Sequence, residues 1–558
     1  MNRAVVVPLL LAWSLVLLTA VAPCAAQSAA SSEPGVAATA SSAPGQAFDL
    51  LELQVEGNTV LPVEAIEVAL EPHLGPGQGM AGVEAARAAL EAVYQKAGYL
   101  TVLVDVPEQR VDGGVVRLAV LEGRIGGLYV LGSRFHDQGY IRTKVPALAV
   151  GAVPDFNRVQ AQLGEVNRSE DRRVQPVLKP GRLPGTVDVE LQVEDKLPLG
   201  GSLEFHNQHA FGTEPWRLMG TLRYDNLFQL DHSLALTFIT APVRPSQSRV
   251  LVANYTIADT DSESLGDSWN LSLTLSDSDV ETLGGTQVLG RGTTLGLRRA
   301  RAFGRRGGDR TAVLTWGADL KLLRERTVFG SDAISTPLRY LPFQLAYSDQ
   351  ATDGDLRWQW NAGVTAAMRE LLQRDVDCPL ASGGSGPQDQ FACKRKGGDG
   401  SFFVGKFDLR VQQPVGSGSV MGRFGAQAAS GPLVSAEQYA VGGAETVRGY
   451  FESEATGDHG WLASLEWRVA NLASSSLPDL RELMPLVFLD AARVFTVDAA
   501  AGQPPVQTLA GAGLGLRVNG GGPRGAIEGG LDIGWPLRAS TNSALGDLHV
   551  HARVAARF

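Results

Sequence analysis

Cysteine, histidine and methionine are scarce: three, eight and six residues in a chain of 558. The closest histidine pairs, His206 with His209 and His549 with His551, have no third ligand near them in sequence, so no metal site is expected. Gly-x-Ser-x-Gly and His-Glu-x-x-His are both absent. Gly400 to Lys406 has the spacing of a phosphate-binding loop, but Phe407 stands where Ser or Thr would meet Mg2+, and no helical period follows. With no catalytic set and no cofactor or metal expected, the chain does not read as an enzyme. Positive charge is also short, with 49 Lys and Arg against 59 Asp and Glu and a net charge of −10. That balance disfavours nucleic acid as a partner, because phosphate binding depends on Lys and Arg. Beyond residue 26 no apolar run approaches the ~20 residues of a membrane-spanning helix. If this chain crosses a membrane, it does so with strands.

What is present begins with an export signal. Arg3 supplies a positive end, Val5 to Val21 an apolar run, and Cys24-Ala25-Ala26 small residues at a cleavage position, so residues 1–26 read as a signal peptide. A lipid anchor on Cys24 is disfavoured by Pro23. Residues 27–47 are almost wholly Ala, Ser, Gly and Pro, a flexible linker. Of the remaining cysteines, Cys378 and Cys393 flank a segment containing Gly, Ser and Pro, and in an exported chain a disulfide is the default expectation.

From residue 48 to 124 the pattern reads β-α-α-β-β. Leu51, Leu53 and Val55 alternate with polar residues, and Pro62 opens a helix carrying Ile66, Ala69 and Leu70 on one face. A second helix spaces Val83, Ala86, Leu90, Val93, Tyr94 and Ala97 and stops at Gly98. Strands are expected over Leu100–Val106 and Val115–Leu121. The order recurs in 125–196: a strand at Leu128–Leu131, helical stretches at Phe135–Val145 and Phe156–Val166, and a hairpin of Arg173–Leu178 with Thr186–Val193.

No helical period survives past Lys196. Trp269, Leu271, Leu273 and Leu275 alternate with Asn270, Ser272, Thr274 and Ser276. In the last segment Leu548, Val550, Ala552, Val554, Ala556 and Phe558 alternate with His549, His551, Arg553, Ala555 and Arg557. Charges this regular do not face a dry core. They suit a barrel with lipid outside and a wet bore inside, whose closure pairs every backbone group. About sixteen such segments occupy 197–558, starting near 199, 216, 231, 247, 267, 286, 310, 338, 355, 401, 418, 460, 483, 506, 524 and 547. A soluble sandwich would have little use for so many polar strand faces.

Between the eleventh and twelfth segments lies a long loop, 429–459, holding the glycine-rich stretch Val441–Tyr450. Its Val447-Arg448-Gly449-Tyr450 resembles the VRGY signature of the BamA-like superfamily, in which this loop folds back into the lumen. The two small α+β units resemble tandem POTRA domains. Together with a sixteen-stranded barrel, they make residues 48–558 similar to the two-partner secretion transporters (TpsB), the ShlB/FhaC/HecB haemolysin secretion/activation family.

The resemblance implies that Arg448 pairs with a carboxylate in a Phe-x-Asp-x-Gly motif on the thirteenth strand. Here that motif reads Phe488-Leu489-Asp490-Ala491-Ala492, with Ala in place of the final Gly. Alternation places Phe488 and Asp490 on the lumen face, with Glu466 and Arg468 as neighbours. Gly511, Gly513 and Gly515 share one lumen face, which either admits the loop or curves the strand. The terminal Phe558 resembles the signal by which barrel assembly machinery recognises its substrates. The family further implies a Gram-negative outer-membrane location with periplasmic POTRA domains and a monomer. It also implies export of one large β-helical exoprotein, a haemolysin or adhesin, captured through its amino-terminal secretion domain. Exposed strand edges at Leu100–Val106 and Thr186–Val193 are the expected capture points. An outer-membrane insertase and a passive porin are the alternatives.

Overall fold

The computed structural model describes residues 48–259, 266–283, 286–304, 309–329, 332–379, 384–473, 479–500, 502–522 and 525–558. The expected signal peptide and linker, 1–26 and 27–47, lie outside the described residues. None of the described helices is long and apolar enough to cross a membrane.

The first small unit packs helices Val63–Leu70 and Gly79–Lys96 on one face of a three-stranded sheet. Val115–Glu122 is the central strand, parallel to Glu52–Glu56 and antiparallel to Val102–Asp105. The 3-4 spacing of the long helix puts Val83, Ala86, Leu90 and Tyr94 into a core with Leu50, Ile66 and Leu118. Gly98 ends that helix at φ +100°, and a Cβ there would sit 2.7 Å from both Asp155 Oδ1 and Asn157 Nδ2 of the next unit. The N–H of Phe156 donates to Gly98 O at 2.9 Å, so the glycine is also the joint between the units.

The second unit repeats the plan with strands Arg124–Leu131, Arg172–Pro180 and Thr186–Asp195 and helices Gln138–Thr143 and Phe156–Val166. Two expectations need correction. The helix expected over Phe135–Val145 covers only Gln138–Thr143. Its first residues are held instead by the Asp195 carboxylate, which accepts from the backbone N–H groups of Arg134, Phe135 and His136. Asp137 then caps the shorter helix through Tyr140 N–H. Secondly, Thr186–Asp195 is the middle strand of its sheet, so Thr186–Val193 is not an exposed edge. The edges are Arg124–Leu131 and Arg172–Pro180, whereas Val102–Asp105 is an edge in the first unit.

The remainder is a closed antiparallel barrel of sixteen strands. Its first strand is Leu199–His206, its seventh Arg310–Phe329 and its ninth Leu356–Ala367. The eighth runs from Asp332 to Asp353 with an interruption at Leu341-Pro342, where proline lacks an N–H. Lys321 pairs with Tyr340 and Ala318 with Phe343, so the register is unchanged across the gap and the two parts make one strand. The tenth to thirteenth strands are Phe402–Val415, Gly418–Ala429, His459–Arg468 and Leu480–Phe495. Val506–Gly522, Gly525–Pro536 and His549–Arg557 complete the ring.

Alternation sorts the faces. Leu465, Trp467, Leu489, Leu531 and Val554 are exposed on the outside, while Glu466, Asp490, Asp532 and His551 are buried within. The ring closes between the last and first strands over a short ladder, from Arg553 with His206 to Arg557 with Ser202. Above it, the Asn207 side chain stands in for a peptide unit, donating to Val550 O at 2.7 Å and accepting from Ala552 N–H at 2.7 Å. Phe558 lies at the other end of this seam, its backbone exchanging two 3.0 Å bonds with Gly201 and its ring exposed on the outer face.

The second unit is docked to the turn after the barrel's second strand, Arg217–Leu227. Arg172 meets both carboxylate oxygens of Asp231 at 3.1 Å, and Asn226 donates to Phe135 O at 3.1 Å. Phe228, Gln229 and Asp231 adopt φ of 60°, 59° and 56° there, a left-handed conformation that costs non-glycine residues energy unless contacts impose it.

Candidate functional site

The loop leaves the eleventh strand at Ala429 and rejoins the barrel at His459. It forms a helical turn, Ser435–Glu437, and a short hairpin of Tyr439–Val441 with Ala455–Gly457. Its apex turns on Gly442, Gly443 and Gly449 at φ +109°, +101° and +94°, which side chains rarely adopt. Thr446 Oγ1 accepts from Gly442 N–H at 2.8 Å, tightening the turn.

Val447 and Tyr450 are fully buried and pack with Leu462, Ala492, Val494 and Leu509 of the wall, so the apex lies inside the bore. The Tyr450 hydroxyl sits 2.8 Å from Ala510 O and 2.7 Å from Arg538 O. Ala492, which occupies the glycine position of the Phe-x-Asp-x-Gly pattern, contributes its methyl to this apolar seat.

Arg448 lies between these two anchors. Its Nε donates to Asp490 Oδ2 at 2.8 Å and its Nη2 to Asp490 Oδ1 at 2.9 Å, while its backbone N–H reaches Oδ2 at 3.1 Å. Nη1 donates to Glu466 Oε2 at 2.8 Å. The guanidinium lies 3.6 Å from the centre of the Phe488 ring, a cation–π contact in a desolvated place. Glu466 is shared with Arg468 at 2.6 Å, and Asp532 with Arg517 at 2.8 Å. Arg448, Arg468 and Arg517 thus face Asp490, Glu466 and Asp532, a balanced set within the wall.

Two-pronged arginine–carboxylate bonds are strong and directional. Desolvation offsets much of that attraction, so the set defines position more than it adds stability. Losing one partner is the costly event, about 3–5 kcal/mol where a charge is left buried and alone.

The three glycines divide the work of making room. A Cβ on Gly511 would run into Arg448 O, on Gly513 into Ile533 O and the Phe488 ring, and on Gly515 into Asp532 Oδ1. Only Gly511 faces the loop itself; the others clear space for the side chains that receive it. Gly534 adds a second approach, its Cβ position 2.7 Å from Gly449 N.

Several participants escaped the sequence reading. Ser464 donates to Asp490 Oδ1 at 2.6 Å, and His551 Nε2 accepts from Gly449 N–H at 3.3 Å. Asp532 and Arg517 belong with them. The signal was available, since Ser464 shares parity with Glu466 and Asp532 with Glu528. Cys378 and Cys393 form a disulfide in the outer loop between the ninth and tenth strands, away from this cluster. Among the described residues no group of His, Cys, Asp and Glu is arranged to hold a metal ion.

A family model described as haemolysin secretion/activation protein ShlB/FhaC/HecB matches residues 185–518, more than half of the chain. The chain belongs to this family. A second model, POTRA domain of the ShlB type, matches residues 48–123. The outer membrane transporter CdiB of Dickeya dadantii (strain 3937) is 27% identical over 184 residues, 33% of this chain and 32% of the relative. The chain therefore spans about a third of the curated relatives it matches in sequence.

In structure, CdiB from Escherichia coli aligns at a TM-score of 0.55 and 21% identity, covering 94% of this chain and 93% of that one. BamA from Haemophilus ducreyi lacking POTRA domains 1–3 aligns at 0.54 and 13% identity, covering 92% and 100%. Both likenesses are of fold. A member of this family with a lipid-facing barrel and POTRA domains is an outer-membrane protein whose POTRA units stand in the periplasm.

Proposed function

We propose that this protein is a two-partner secretion translocator that exports one large β-helical exoprotein through its barrel, as a monomer and without nucleotide or metal. The observation that carries the reading is the infolded loop, whose Arg448 sits on Asp490 inside the bore of a chain from this family. A BamA-like outer-membrane insertase is the rival, but the likeness to BamA extends only to fold. Residues 48–124 and 125–196 act as the two POTRA modules, and residues 197–558 as the barrel. Val447, Arg448, Gly449 and Tyr450 form the loop element, with Phe488, Asp490, Glu466 and Arg468 as its receiver.

The client's amino-terminal secretion domain would meet the modules by adding a strand. Val102–Asp105 is an edge without proline, whereas the edge Arg172–Pro180 carries Pro176 and Pro180, which blunt such pairing. The client's folding outside makes transfer directional. Phe558 addresses the chain to the barrel assembly machinery.

The test is Arg448→Ala, co-expressed with each large β-helical exoprotein of the source genome. Wild type should release one of them, and the variant should assemble in the membrane, show altered conductance and release that client at background level. Wild-type release by the variant removes the loop from the mechanism. Release of none by wild type, with widespread loss of outer-membrane proteins on depletion, transfers the protein to the insertases.

A further inference from the structure

The Arg448 cluster fixes only the apex of the loop. The limb nearer the cell exterior carries its own buried charge, Glu437, at the end of the Ser435–Glu437 turn. Glu437 Oε1 accepts from Lys321 Nζ at 2.6 Å and from the Tyr340 hydroxyl at 2.6 Å. Lys321 and Tyr340 are directly paired residues of the seventh and eighth strands. Tyr340 is fixed in turn, its ring edge-on to Phe391 at 5.6 Å and Phe402 at 6.1 Å. The backbone beside the carboxylate is tied as well, Gln427 Nε2 donating to Glu437 O at 3.1 Å and Asp458 O at 3.2 Å.

In a ring of sixteen strands, the seventh and eighth lie almost across from the thirteenth to fifteenth, where the apex is seated. The loop is therefore held on two facing walls by two charge clusters with no residue in common. We propose that Glu437 is a second latch: bound to Lys321 and Tyr340, it holds the outer limb of the loop across the bore and sets how far the resting channel is closed.

This rests on the translocator reading for its purpose, but not for its geometry. Breaking the apex alone leaves the limb tethered. Removing Lys321 alone leaves the buried carboxylate with only the Tyr340 hydroxyl and the charge of Lys406 on the tenth strand, a weaker hold that favours a swing of the limb into water. Glu437 is thus a positioning residue, acting through the loop on the width of the passage.

The experiment is single-channel recording of the purified full-length protein in planar bilayers with KCl as the probe, comparing Glu437→Gln, Lys321→Met and the double variant. Each single variant should lengthen open events several-fold, and the double should exceed neither. Heat-modifiable migration on gels checks that each barrel is sound. Singles that record like wild type overturn the latch, and so do effects that multiply in the double. Should Glu437→Gln fail to assemble, Tyr340→Phe keeps the ring and deletes only the hydroxyl. It should shift open times in the same direction by less, and an unshifted record from a sound barrel overturns the proposal. Ion conductance needs no client, so a failure to find an exported protein would count against transport and leave this result standing.

Discussion

The periplasmic units and the barrel are built inside out relative to each other. In the units, Leu50, Leu90, Val189 and Leu191 are wholly buried and most charges face water. In the barrel, Asp349, Asp458 and Asp490 are buried, while Leu203, Leu465 and Val554 stand on the surface. The difference follows from solvent. Water around the units rewards burial of apolar area, whereas lipid around the barrel rewards it on the outside and requires every backbone group to be paired. The lesson is about where function can be read. The interior of a unit reports packing; the interior of the barrel, where no packing demand explains a charge, reports what the bore does.

The contrast can be broken most forcefully by removing a unit. Deleting residues 48–123 should reduce client release to background, while the barrel still assembles and migrates as a folded species on gels. Normal release would show that the apolar-cored part is dispensable.

A smaller effect is expected from one methyl group in the bore. Gly511→Ala places a Cβ against Arg448 O and should cost the seated apex about 1–3 kcal/mol, as overpacking does. Gly422→Ala, which meets nothing within 4 Å, is the control and should be silent. Conductance and protease sensitivity of the loop separate the two, and equal behaviour would mean the apex is not seated where Gly511 lies.

The smallest effect tests the exception on the other side, a charge buried in a unit. Burial raises the pKa of Asp195, but hydrogen bonds from the backbone of Phe135 and Arg134 and from His136 outweigh it, holding the carboxyl below its ordinary 3.8. A depressed carboxyl stabilises the fold above its unfolded pKa, and that contribution is lost as pH falls through the folded value. The second unit should therefore loosen in acid, below about pH 4. Asp195→Asn should remove about 1 kcal/mol at neutral pH and flatten this dependence. Limited proteolysis of the full chain across pH reads both. A variant as stable as wild type at neutral pH would show that the nest of N–H groups needs no charge.

Strand positions were legible because alternation is a local property: a segment starting near 524 or 547 announces itself whatever surrounds it. Sheet order was not, since the same alternation fits Thr186–Asp195 in the middle or at the edge of its sheet. Helical periodicity at Phe135 was overridden by a carboxylate about sixty residues away, a contact no window in the sequence contains. Within the bore, Arg448 and Asp490 stand in recognisable motifs, and the structure brings them to 2.8 Å. Parity already put Asp532 and His551 on the lumen face, but only the closed ring shows that the loop meets them. Glu437 sits in a three-residue turn with no period, and only the folded barrel brings two strands to receive it.

The short seam beside Asn207 has a consequence for how the cylinder is made. Its hem is sewn from the Phe558 end and stops where a carboxamide replaces the next stitch. Fifteen neighbouring joins can form before this one, because each links segments consecutive in the chain, whereas this join brings together segments from opposite ends of the barrel. The strand His549–Arg557 is thus the fastener that turns a curled sheet into a tube, and the tube is finished only when it meets Leu199–His206.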